Sequence, residues 1–247
     1  MSGSSDEFPP PRLWPALLWT LAGAAVLAAA QFAGVLAYLG WQRLLHPGQP
    51  INLHAMATNG AAISIITFTS SLILLLAFLG FTRIRTRAVR LYLGLRLPRL
   101  RDFVLCVLAL AFVLAALAIV SSQFSDPRAQ AFMREMFLSA QRDHLLWLLV
   151  GAVSIAAPIG EEITFRGFLY KTIELRFGAV VAVIATALGW SVLHFQYGLV
   201  SIASIFAIGL FLGIVRQYSH SLILTMILHG AWNSVALLGS AIAFAHA

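Results

Sequence analysis

Polar positions along this chain are few and bunched, and the apolar runs between them are long. Runs of membrane-spanning length cover Leu13 to Trp41, Ala57 to Phe81 and Phe103 to Val120. Others follow at Ala179 to Phe195, Leu199 to Val215 and Leu222 to Phe244. A helix that crosses a bilayer needs roughly 20 mostly apolar residues, and this pattern predicts a helical bundle in the membrane. The stretch from Leu145 to Phe177 fits less simply. Leu145 to Ile159 alone is short for a span, and the full stretch is long for one. Pro158 and Gly160 predict a kink or break between its halves. Counting it as one span, the expectation is an all-α, polytopic transmembrane bundle of about seven spans.

The loops are punctuated as expected. Pro47, Gly48 and Pro50 mark the first, and Ser121 to Asp143 forms a polar connection with Asp126, Pro127 and Glu135. The organisation read from this is a disordered tail over residues 1–12, N-terminal membrane helices over 13–120 and a connecting loop over 121–143. A membrane domain over 144–247 completes it. The tail is polar and Pro-rich and lacks the basic start of a signal peptide, so an uncleaved first span is expected.

Composition supports the pattern. The chain has 247 residues, 60% hydrophobic and only 10% charged, where a soluble domain carries about 25% charged residues. The net charge of +7 is concentrated, because seven of the sixteen Lys and Arg residues lie between Arg83 and Arg101. In this setting such a cluster points to a cytoplasmic loop beside anionic lipid (residues 82–102), not to nucleic acid. The single cysteine, Cys106, lies within a span, so an intrachain disulfide is excluded and a packing role expected.

Acidic residues are scarce enough to be informative. The nine Asp and Glu leave the region between Phe8 and Arg101 empty, and from His144 onward only Glu161, Glu162 and Glu174 remain. A charge at mid-membrane costs about 3 kcal/mol, so one at that depth is a candidate functional group. Glu162 and Arg166 are four apart and share a helix face, which pairs them. Glu161 is rotated by about 100° from Glu162, leaving it unpaired by the arginine and suited to act as a general base. Two further polar signals lie in apolar runs: His194 follows Trp190 by four, and His229 and Asn233 are likewise four apart. Taken singly, each has a structural explanation, as an interfacial histidine or an interhelical hydrogen-bond pair. Together they are the parts of a water-activating site. A carboxylate and one histidine polarise water, while the second histidine and the asparagine donate to an oxyanion. His46, His54, His144, His220 and His246 sit in loops or at ends and are given no role.

Glu161-Glu162-x-x-x-Arg166, then Trp190-x-x-x-His194, then His229-x-x-x-Asn233 resembles the motif series of the CAAX prenyl protease and bacteriocin-processing (abortive-infection) family of membrane proteases. That family usually has Phe where Trp190 stands. The resemblance covers about Leu145 to Ala245. It implies an intramembrane endopeptidase with its site in the membrane core. Glu161 would activate water with help from His194, His229 and Asn233 would stabilise the oxyanion, and Glu162 with Arg166 would brace the helix. The site would open to the cytoplasm, with the protein in the inner membrane of a bacterium. Implied substrates are peptides or membrane proteins, prenylated C-termini and leader peptides among them. The family has been described both with and without a metal. The lack of a His-Glu-x-x-His motif favours no cofactor; if a divalent metal such as zinc is used, Glu161, His194 and His229 are its ligands. Competing readings are a non-proteolytic immunity or scaffold protein retaining the bundle, and a transporter using the glutamates as an ion site.

Overall fold

The computed structural model describes Phe8 and residues 11–244, so most of the N-terminal tail and His246 lie outside the described residues. Helices α1 (Leu13–Leu45), α3 (Gly60–Arg85), α5 (Leu100–Gln123), α7 (Leu146–Phe177), α9 (Leu199–Ser219) and α10 (Leu222–Phe244) are each long and apolar enough to cross a membrane. The shorter apolar helix α8 (Ala179–Val192) completes the set. Between them lie α2 (Leu53–Met56), α4 (Val89–Leu93) and α6 (Pro127–Arg142). Among the described residues there is no strand. The chain is an integral, multi-pass helical membrane protein. Its outer faces fit that solvent: α5 alone exposes Leu105, Leu108, Phe112 and Ile119.

Two elements depart from the expectations. The polar connection at 121–143 is mostly helical. Asp126 caps α6 by accepting from the Ala129 amide at 3.1 Å, and Pro127 occupies the first turn, a favoured start for a helix. α6 then buries Met136, Phe137 and Ala140 on one face, so it lies across the end of the bundle.

Of the kink or break expected in α7, the structure shows no break but an irregular helix. The helix runs continuously from Leu146 to Phe177, with π-helical stretches at Ala152–Ala156 and Ile163–Leu169 flanking a six-residue α stretch, Ala157–Glu162. Pro158 is absorbed by the first of these. The Ala157 amide reaches back five residues to the Ala152 carbonyl. The next donor in that register would be Pro158, which has no N–H. The Val153 carbonyl instead accepts from the Asn233 side chain at 2.8 Å. Gly160 is a packing position and not a hinge, because a Cβ there would stand 2.7 Å from the Ser71 Cα of α3. Small residues give the same close approach between membrane helices generally.

The bundle is sealed at one end. Tyr92 and Leu93 of α4 tuck beneath it and pack with Phe78, Ile163, Phe168 and Leu222, all buried. The α9–α10 turn is tied to the same segment. Ser221 Oγ donates to the Arg96 carbonyl at 2.6 Å, and the Leu222 amide donates to the Gly94 carbonyl at 2.8 Å. His220, in that turn, takes a left-handed conformation. Burial and the nearby Arg216 and Arg96 push its imidazole below the ordinary histidine range.

Candidate active site

The π stretches of α7 set which way its glutamates face. Between them, Glu161 and Glu162 occupy the last two positions of the short α stretch. Glu162 points into the packed interior and is fully buried, whereas the Glu161 side chain remains 28% exposed.

Glu162 Oε1 accepts from Arg166 Nη1 at 2.9 Å and stands 3.0 Å from His229 Nδ1. Arg166 is equally buried. Its Nη2 donates to the Gly209 carbonyl at 3.1 Å, and its guanidinium lies over the Trp190 ring at 4.7 Å. A carboxylate buried in this medium needs such partners, since an uncompensated charge costs several kcal/mol. The pair predicted from spacing is present, and His229 is its third member.

Trp190 joins the two glutamate environments. Its Nε1–H donates to Glu161 Oε2 at 2.5 Å. Its carbonyl, an acceptor only, holds His194 Nδ1 at 2.9 Å. That contact requires the proton on Nδ1, which leaves His194 Nε2 as a proton acceptor in the neutral ring. The Trp190 ring also lies 5.2 Å from the His194 ring, 5.0 Å from His229 and 6.0 Å from Trp232. His229, held through Nδ1, places Nε2 3.9 Å from Glu161 Oε2. That gap is too long for a direct hydrogen bond and the right size for an atom shared between them.

Glu161, His194 and His229 are thus gathered around one indole. Asn233 lies one turn beyond His229, with one of its two amide hydrogens committed to Val153; the second is free to point elsewhere. In the sequence pattern Trp190 stands where the resembled family usually has Phe. Its N–H contact was missed, although an indole donor in an apolar run needs a partner when buried. Tyr197, stacked on His194 at 6.1 Å, and Trp232 were also missed. Nothing in their local spacing separates them from ordinary interfacial aromatics.

The set does not form a metal cage as it stands. Among the described residues no three His, Cys, Asp or Glu side chains are grouped so as to hold an ion.

A helical membrane bundle with buried carboxylate, histidine and arginine at its centre belongs to a class in which polar groups at depth mark function. Residues 143–235 match the family model described as type II CAAX prenyl endopeptidase Rce1-like. The match is consistent with the CAAX prenyl protease and bacteriocin-processing family. Glu161, Arg166, His194, His229 and Asn233 all fall inside the match. The chain is also 30% identical over 138 residues to a protein of Escherichia coli described as "Uncharacterized 24.3 kDa protein". The alignment covers 53% of this chain and 60% of that relative's length. No solved structure matches the chain.

Proposed function

We propose that this protein is an intramembrane endopeptidase that hydrolyses a peptide bond with water activated by Glu161, without a metal, in the inner membrane of a bacterium. The observation that carries the reading is the contrast between the two glutamates. Glu162 is neutralised by Arg166 and His229, while Glu161 is partly exposed, held by a single indole donor and faced by His229 Nε2.

In this reading Glu161, assisted by His194 Nε2, takes a proton from water, and the resulting hydroxide adds to the scissile carbonyl carbon. The carbonyl oxygen becomes an oxyanion. With Nδ1–H committed to Glu162, a protonated His229 ring has Nε2–H left to donate to that oxyanion, and the second Asn233 N–H is placed to do the same. When the tetrahedral intermediate collapses, Glu161 returns the proton to the departing amine. The products are one carboxylate and one amine, with water consumed. Arg166 and Glu162 hold the His229 ring in its orientation throughout, as outer partners do for ligating and catalytic imidazoles.

Membranes carrying wild-type or Glu161→Ala protein at equal levels, compared by proteomics, test the proposal. The expected result is an uncut peptide that accumulates only with the variant. Cleavage at the wild-type rate by Glu161→Ala would sink it, and an unchanged peptide profile would favour a scaffold role. Loss of wild-type activity on chelation, restored by zinc, would overturn the metal-free step alone.

A further inference from the structure

Helix α9 starts at Leu199 without a capping side chain of its own. The residue before it is Gly198, which has no side-chain oxygen to offer the free amides of a first helical turn. The fold supplies that oxygen from 72 residues away. Asp126 Oδ1 accepts from the Gly198 amide and Oδ2 from the Ser201 amide, each at 3.2 Å. The same Oδ1 accepts from the Ala129 amide at 3.1 Å. One carboxylate therefore caps two helices, α6 and α9, and its negative charge suits both N-termini. The arrangement requires glycine at 198, because a Cβ there would stand 2.5 Å from Asp126 Oδ1.

The two segments joined in this way are held very differently by the rest of the molecule. α6 is anchored, since its Met136, Phe137 and Ala140 form a buried cluster with Leu149 of α7 and Leu237 of α10. The turn that leads into α9 is not, and its Leu193, Phe195 and Gln196 are exposed. That turn carries His194. On the α8 side the imidazole is held by the Trp190 carbonyl at 2.9 Å. On the α9 side it stacks on Tyr197, with the rings 6.1 Å apart and 18° from parallel. Tyr197 immediately precedes Gly198 and rests on α6, with its ring 5.3 Å from that of Phe132 and its hydroxyl 3.8 Å from Met133 Sδ. A shift of Gly198 away from Asp126 would carry Tyr197 with it, and with Tyr197 one of the two contacts on the His194 ring.

We propose that Asp126 is a positioning residue for His194. Its carboxylate clips the start of α9 to the anchored α6, and through Tyr197 the clip fixes the imidazole beside Trp190. The kinetic consequence rests on the endopeptidase reading; the placement of the ring does not.

Asp126→Ser separates the clip from an ordinary cap. Serine is as good an N-cap as aspartate, so α6 keeps its bond from Ala129, but a single, shorter oxygen does not reach across to α9. Hydrogen exchange at the Gly198 and Ser201 amides should quicken by about fivefold, the worth of one hydrogen bond. The amides of α6 and the melting temperature should hold. The imidazole 15N resonances of His194, assigned with His194→Gln, should shift. On a peptide found by the Glu161→Ala comparison, kcat should fall by about threefold with KM unchanged, a loss of alignment and not of binding. Wild-type exchange and an unmoved His194 spectrum overturn the proposal. So does a melting temperature that falls as far as in Asp126→Ala, which makes the carboxylate a stability element. A moved ring with wild-type kcat overturns the kinetic half. A wild-type protein that cuts nothing sinks the endopeptidase reading, and the His194 spectrum still decides the placement.

Discussion

Two neighbouring carboxylates, one peptide bond apart, live in different worlds here. Glu162 is fully buried, with Arg166 and His229 both on its Oε1 and no protein partner on Oε2. Glu161 has an indole N–H as its bonded partner, and a quarter of its side chain is exposed. The difference teaches that burial with charge pairing builds a scaffold. Partial exposure with incomplete pairing leaves a group able to exchange protons. Their spacing to Arg166 already separates them in the sequence, and the rotation between adjacent helical residues carries that difference into the fold.

The sharpest way to break the comparison is to neutralise each in turn. Glu161→Gln should leave expression and melting temperature unchanged while lowering turnover by about 10²–10⁴-fold, the range for a lost general base. Glu162→Gln, or Arg166→Ala, should instead destabilise the fold, by about 3–5 kcal/mol for a buried pair stripped of one partner. Thermal unfolding in detergent measures this, and equal destabilisation by the Glu161 change would erase the distinction.

Asn233 sharpens the boundary between scaffold and chemistry. Asn233→Ala leaves the Val153 carbonyl without its donor, at a cost of about 1–2 kcal/mol. Pro158→Ala returns an N–H to α7 and should recover part of that stability. If the double variant regains stability but not turnover, Asn233 has a role beyond satisfying Val153. If it regains both, the side chain is structural.

Trp190→Phe removes the indole N–H and keeps an aromatic ring. It should change turnover by a factor of about five, near the 1 kcal/mol of one hydrogen bond, with the fold intact. An unchanged rate would remove Trp190 from the positioning of Glu161.

The smallest effect lies at the α6 end. Burial pushes the Asp126 carboxyl up, but hydrogen bonds from Ser201, Ala129 and Gly198 more than offset this and hold it below the usual carboxylate range. A depressed carboxyl stabilises the folded state above its unfolded pKa, and that contribution fades as pH falls through the folded value. Below about pH 4, α6 should therefore loosen from α9, visible as faster hydrogen exchange at the Gly198 and Ser201 amides. Asp126→Asn should flatten this pH dependence.

Much of the architecture was legible because hydropathy in a membrane is nearly a complete description of where a helix can be. α10 begins and ends where its apolar run does, and α1, α3 and α5 differ from their runs by a few residues at the ends. α6 was not legible as a helix. Its Asp126–Pro127 start was visible, but its apolar face at Met133, Met136, Phe137 and Ala140 is too short to stand out among charges. The continuity of α7 was hidden for another reason. Proline reads as a breaker unless a partner for the freed carbonyl is known, and that partner, Asn233, is 80 residues away.

The sequence by itself determined the class of protein, the spans and which polar residues an apolar chain retains at depth, because lipid penalises each of them locally. Only the tertiary structure decided that His229 joins the Glu162–Arg166 pair and that Trp190 is the donor to Glu161. Those outcomes depend on helix rotation and on partners from other helices, which pair groups across distances that no local pattern encodes.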